Sequence, residues 1–124
     1  MNDHKQAAML LRMANKDLAA LQGMNDSEVF AEEIFGFHAQ QAAEKAIKAW
    51  LALLGIEYAK THDISFLLAE LKQSGVDVDT FMELIEYNVF AVQFRYEAYD
   101  DGMDTLDRVS RLILHVQGVA ESLT

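Results

Sequence analysis

The chain has no cysteine and no proline, only six glycines, and half as many basic as acidic residues. Without cysteine it has neither a disulfide framework nor a thiolate metal site. Without proline, nothing in the sequence blocks long helices. Ten Lys and Arg stand against 20 Asp and Glu, a net charge of −10, which opposes a broad electrostatic grip on nucleic acid or on an anionic membrane. No apolar run of about 18 residues and no secretory signal pattern is visible, so a cytoplasmic protein without a membrane partner is expected. Glycine-rich phosphate loops and strained serine elbows are also missing. No glutamate is followed three residues later by histidine, which removes the helical di-iron arrangement. No metal site is read from the spacing.

What the chain does have is 52% hydrophobic residues in 124, too many for disorder and enough for one helical domain over residues 1–124. The organising stretch is Val29 to Leu54. Counting about 100° per residue from His38, Ala39, Ala42, Ala43, Ala46, Ile47, Trp50, Leu53 and Leu54 share one sector, which is the packing face. His38, Gln41, Lys45 and Lys48 form a narrower stripe along its edge. Alanines favour the helix and let neighbours approach closely, so this is read as the central helix, closed by Gly55.

Before it, Ala7, Leu10, Leu11, Ala14, Leu18 and Leu21 give an amphipathic helix over residues 3–22, capped by Asn2 or Asp3. Gly23, Asn25, Asp26 and Ser27 break it. After Gly55, Ile56 to Lys60 form a connection, and Thr61, His62 and Asp63 supply caps for a third helix, about Asp63 to Gln73. That helix buries Ile64, Phe66 or Leu67, Leu68 and Leu71. Asp77 or Asp79 caps a fourth through Phe81, Leu84, Ile85, Val89 and Val92. From Arg95 to Gly102 the periodicity fails, and an ordered loop or frayed helix end is expected. The last helix, about Asp104 to Ser122, buries Leu106, Val109, Leu112, Ile113, Val116 and Val119. These elements add up to an all-α, up-and-down four-helix bundle with an additional short helix.

His38, Gln41, Ala42, Glu44, Lys45, Ala46, Lys48 and Ala49 on the central helix, followed by Gly55, Thr61, His62, Asp63 and then Arg95 with Tyr96, resemble the HEPN family over roughly residues 5–120. The resemblance implies a helical bundle, usually a homodimer, linked to nucleotide binding and ribonuclease activity. Members are often encoded beside a small nucleotidyltransferase as a two-component or toxin–antitoxin pair. The ribonuclease branch carries an arginine and, after four to six residues, a histidine. Here Asp100 stands where the first such histidine would fall after Arg95. A histidine exchanges protons near neutral pH, whereas an ordinary aspartate stays ionised, so the metal-independent ribonuclease motif is incomplete. Arg108 and His115 satisfy the spacing, but lie about two turns apart inside the last helix.

The stripe can be read in two ways. Lys45 and Lys48 can hold phosphates as point charges, with His38 and Gln41 contacting a base or ribose; alternatively it is a solvated helix edge on which Glu44 pairs with Lys48 at i,i+4. Arg95 offers a planar fork for phosphate and Tyr96 and Tyr99 offer rings, or Arg95 staples its loop to Glu97, Asp100 and Asp101. Tyr96 or Tyr99 is a candidate for accepting a nucleotidyl group from a partner. The leading expectation is a nucleotide-binding interaction protein, a homodimer paired with a small nucleotidyltransferase. RNA is a less favoured partner because of the net charge. The alternatives are an RNA-cleaving toxin using Arg95 with His38 or His62, and a structural adaptor. No cofactor beyond a nucleotide ligand is expected.

Overall fold

A computed structural model describes residues 3–23, 32–58, 60–87 and 102–123. Four α-helices, α1 (His4–Gly23), α2 (Glu32–Leu53), α3 (Ile64–Gln73) and α4 (Gly102–Ser122), and a 3₁₀ helix over Asp79–Tyr87 between α3 and α4, form an all-α bundle. No strand is present among the described residues. The first helix is capped by Asp3, whose Oδ1 accepts from the Gln6 N–H at 2.9 Å. The Asp3 N–H in turn donates to the Ala52 carbonyl at 2.9 Å, so the start of α1 lies beside the end of α2 and the two run antiparallel.

The central position of α2 follows from its small residues. Ala39, Ala42, Ala43, Ala46, Ile47, Trp50 and Leu53 are buried as the periodicity predicts, with Leu54 partly buried. Ala49, Leu51 and Ala52, outside that sector, are buried as well, because α1, α3, α4 and the 3₁₀ helix all pack on this one helix. A helix apolar nearly all round is a core helix. Trp50 caps the cluster at one end, edge-on to Phe81 with ring centroids 5.7 Å apart.

Both α2 and α3 end in the same way. The Gly55 N–H reaches the Ala52 carbonyl and the Ile56 N–H reaches Leu51; Gly75 and Val76 repeat this onto Lys72 and Leu71. Each glycine has positive φ, 75° and 97°, the left-handed turn that closes a helix and that a Cβ disfavours. In α3 it is Leu67 that goes inside, while Phe66 stays half exposed.

The fourth predicted helix differs from expectation: Asp79–Tyr87 is 3₁₀, not α. Within residues 78–84, Val78, Phe81 and Leu84 are the buried positions, a spacing of three, which matches three residues per turn and eclipses the apolar side chains along one line; the side chain of Ile85 lies outside the described ones. The Asp77 carboxylate accepts from the Asp79 N–H at 3.0 Å at its start. Val89 and Val92 lie outside the described residues. Along α4, Val109, Leu112, Ile113 and Val116 are buried and Leu106 and Val119 pack on the core.

Candidate functional site

The stripe on α2 is built from two carboxylate-centred clusters. In the first, Asp17 projects from the apolar face of α1, between the levels of Ala14 and Leu21, and is itself buried. Its Oδ1 lies 3.0 Å from His38 Nδ1 and its Oδ2 accepts from Lys45 Nζ at 2.8 Å. One carboxylate therefore ties α1 to two turns of α2. A carboxylate is an acceptor only, so the proton of this bond belongs to Nδ1, and in the neutral imidazole Nε2 is the acceptor.

The second cluster is centred on Glu44, only 3% exposed. Its Oε2 accepts from Lys48 Nζ at 2.9 Å, the i,i+4 contact. Both its oxygens lie within 2.9–3.0 Å of His62 Nδ1, an imidazole otherwise open to solvent with 78% of its side chain exposed. Gln40 holds the other side of this residue, donating from Nε2 to the His62 carbonyl at 3.2 Å. Lys48 also sits over the Tyr58 ring, 5.7 Å from its centroid, and the Tyr58 hydroxyl accepts from Gln6 Nε2 at 3.0 Å.

His62 is thereby corrected as a cap. The residue that caps α3 is Asp63, whose Oδ1 accepts from the backbone N–H of Ser65 and Phe66, while Thr61 Oγ1 accepts from the Asp63 N–H. The imidazole of His62 turns instead to Glu44. Burial explains the choice: a carboxylate removed from water needs as many donors as reach it, and Lys48 alone leaves Glu44 under-satisfied.

The placement of the remaining candidates is mixed. Gln41 lies partly buried on the same stripe. Arg95, Tyr96 and Tyr99 lie outside the described residues. Arg108 and His115 are not joined in one site: Arg108 Nε donates to Glu83 at 2.9 Å, whereas His115 packs against the rings of Trp50 and Phe81, with centroids 4.8 and 5.3 Å away. Arg108 borders a cavity of about 340 Å³ between the 3₁₀ helix and α4, lined also by Asp79, Glu83, Asp107 and Arg111. Arg111 pairs with Asp107 at 2.8 Å. No three His, Asp or Glu groups among the described residues converge to hold a metal ion, and none of the described helices is long and apolar enough to cross a membrane.

The order of these elements, and the histidine–glutamate–lysine run on the central helix followed by the Thr61-His62-Asp63 turn, fit one comparison: the HEPN domain model matches residues 7–123. The chain belongs to the HEPN family. No curated protein and no solved structure matches it. The family is involved in nucleotide and RNA interaction, and in this HEPN chain the match runs from the first turn of α1 to the end of α4.

Asp17 is the residue that sequence reasoning missed. Its partners lie 21 and 28 residues away, beyond any local pattern. The available signal was a lone carboxylate among the buried positions of an amphipathic helix, where only a paired charge is tolerated.

Proposed function

We propose that this HEPN protein is an interaction module that binds a nucleotide and works, as a homodimer, with a small nucleotidyltransferase in a two-component or toxin–antitoxin pair. The observation that supports this reading is membership of the HEPN family, which is involved in nucleotide and RNA interaction. Lys45 and Lys48 each hold a carboxylate at 2.8–2.9 Å, so they act as fixed background charge and as positioning groups, not as free phosphate clamps. What the stripe offers a ligand is His38 Nε2 and the Gln41 amide, suited to a base or ribose. Arg95 and Tyr96 supply the phosphate fork and a ring in this proposal, and Tyr96 or Tyr99 is the acceptor of a nucleotidyl group. Asp100 at the position of the ribonuclease histidine supports a binding role over a cleaving one, since an ionised carboxylate is a poor proton donor.

Isothermal titration with ATP, GTP and their monophosphates tests the ligand. A dissociation constant tighter than about 1 mM, weakened by Arg95→Ala and by His38→Ala with the fold intact, is expected. Native mass spectrometry of the protein recovered from its own cells tests the pairing: a dimer carrying a nucleotidyltransferase, or a nucleotidyl adduct on the chain, is expected. No nucleotide binding together with a bare dimer refutes the reading.

A second reading is favoured by one feature. His62 is held through Nδ1 by a buried carboxylate while its Nε2 faces solvent, the arrangement of an oriented general base. Across a dimer it could meet Arg95 and cleave RNA. RNA cleavage lost in both Arg95→Ala and His62→Ala supports this ribonuclease; cleavage absent from the parent protein rejects it. A purely structural adaptor predicts instead that charge removal at Lys45, Lys48 and Arg95 leaves partner binding untouched.

A further inference from the structure

The outer face of α1 carries a charge opposite to that of the rest of the chain. Lys5, Arg12 and Lys16 are all exposed, and at 100° per residue they fall within an arc of about 40° on the side away from Leu10, Ala14 and Leu21. The only carboxylate within α1, Asp17, points inward and is held by His38 and Lys45, so the helix itself brings no acidic group to this face. Elsewhere Lys45, Lys48, Arg108 and Arg111 each hold a carboxylate, while Lys60 and Lys72 stand singly on other segments; among the described residues no carboxylate pairs with Lys5, Arg12 or Lys16, which are the three that share one helix face. Beside this cationic line run Met9 and Met13, each 39% exposed, one turn apart at i,i+4. A protein with 20 acidic and 10 basic residues thus presents one helix face that is purely cationic along one line and apolar along the next.

We infer that this face docks an acidic amphipathic helix of a partner protein. Charge complementarity selects an acidic occupant: Glu or Asp side chains facing the line from Lys5 to Lys16, which spans about 16 Å or three helical turns. The two methionines select a helix over a polyphosphate or nucleic-acid strand. Flexible and polarizable, they suit a ridge of leucines, whereas a sugar–phosphate backbone has no apolar ridge to cover them. A second copy of this chain docking through the same face would set like charges against each other. The surface lies on α1, opposite the side that meets α2, and is independent of the stripe on the central helix.

The test is fluorescence anisotropy with the full chain and a labelled synthetic peptide of about four helical turns, carrying leucines at i, i+3, i+4 and i+7 and glutamates on the flanking positions. A scrambled peptide of the same composition, a uridine oligonucleotide and phosphatidylcholine–phosphatidylserine vesicles serve as comparison probes. The helical peptide is expected to bind at least about tenfold tighter than the scrambled one, and to weaken at least about tenfold between 0.05 and 0.5 M salt as screening shortens from about 14 to 4 Å. Lys5→Gln/Arg12→Gln/Lys16→Gln and, separately, Met9→Gln/Met13→Gln are each expected to lose at least about tenfold in affinity with unchanged circular dichroism. The inference is overturned by equal binding of the two peptides, by unchanged affinity in the folded triple variant, or by binding of the oligonucleotide or the vesicles in preference to the peptide. Should the triple variant not fold, the single variant Arg12→Gln is read in its place, and unchanged affinity there counts against the inference equally.

Discussion

Glu44 and Lys48 look in sequence like one more i,i+4 pair on a helix surface, a contact that contributes about 0.3–0.5 kcal/mol. In the fold they are different, because the Glu44 side chain is 4% exposed and that of Lys48 14%. Replacing Glu44 by Met leaves an ammonium largely out of water with only the Tyr58 ring nearby. Breaking a buried pair costs about 3–5 kcal/mol, and the reach of the lysine stem toward solvent reduces this to about 2–3 kcal/mol. Lys48→Met strands the carboxylate with His62 as its remaining partner and costs a similar amount, about 2–3 kcal/mol. The double variant Glu44→Met/Lys48→Met leaves no unpaired charge at this site, and is expected within about 1–2 kcal/mol of the parent. The cycle therefore gives a coupling of about 3 kcal/mol. Urea denaturation monitored by circular dichroism reads these values directly; in thermal melts each kcal/mol corresponds to about 4 °C for a chain of this size. A coupling below about 0.5 kcal/mol, the value of a solvent-facing pair, would refute the account of Glu44 as a buried hub. His62→Ala removes the second donor of a buried carboxylate, but from a ring 78% exposed whose place water can take, and is expected to cost about 1 kcal/mol.

Other consequences are open to the same measurements. Asp63→Ala removes the side-chain acceptor for two N–H groups at the start of α3 and should cost about 1 kcal/mol, read by denaturation. Leu67→Ala should cost about 2–5 kcal/mol because its side chain is fully buried, whereas Phe66→Ala, half exposed, should cost clearly less; equal losses would contradict the orientation of α3. Gly75→Ala meets no steric obstacle from neighbours but forces a Cβ onto a φ of 97°, and should lower stability by about 1 kcal/mol.

The helices and the core were legible in the sequence because each is recorded in local periodicity. Ala39, Ala42, Ala46 and Ile47 repeat at helical spacing, and Gly55 and Gly75 mark the two ends where the backbone turns left-handed. Local pattern carried the choice between neighbours only weakly. Phe66 and Leu67 are adjacent, both large and apolar, and what separates them is that Leu67 alone stands at i,i+3 from Ile64 and i,i+4 to Leu71, in a helix of only ten residues. The 3₁₀ geometry was hidden for a related reason, since Phe81 and Leu84 satisfy both a three-residue and a 3.6-residue repeat over so short a segment; Val78 at the same interval is what distinguishes them. On the stripe, the Glu44–Lys48 contact was readable because it lies within one helix. Asp17 was not, because its partners are reached only after α1 folds back on α2. The participation of His62 likewise required the segment leading into α3 to bring the residue before the Asp63 cap over the middle of α2.

The bond from the Asp3 N–H to the Ala52 carbonyl joins the first described residue to the penultimate residue of the central helix. Helix ends normally fray, opening at almost no free-energy cost. Here the first turn of α1 cannot peel away without also freeing a carbonyl at the end of the most enclosed helix in the molecule. Opening of that end and opening of the α2 terminus are therefore one event, not two. The Asp3 amide, just ahead of the first helix, accordingly shares the exchange behaviour of a helix end buried some fifty residues further along.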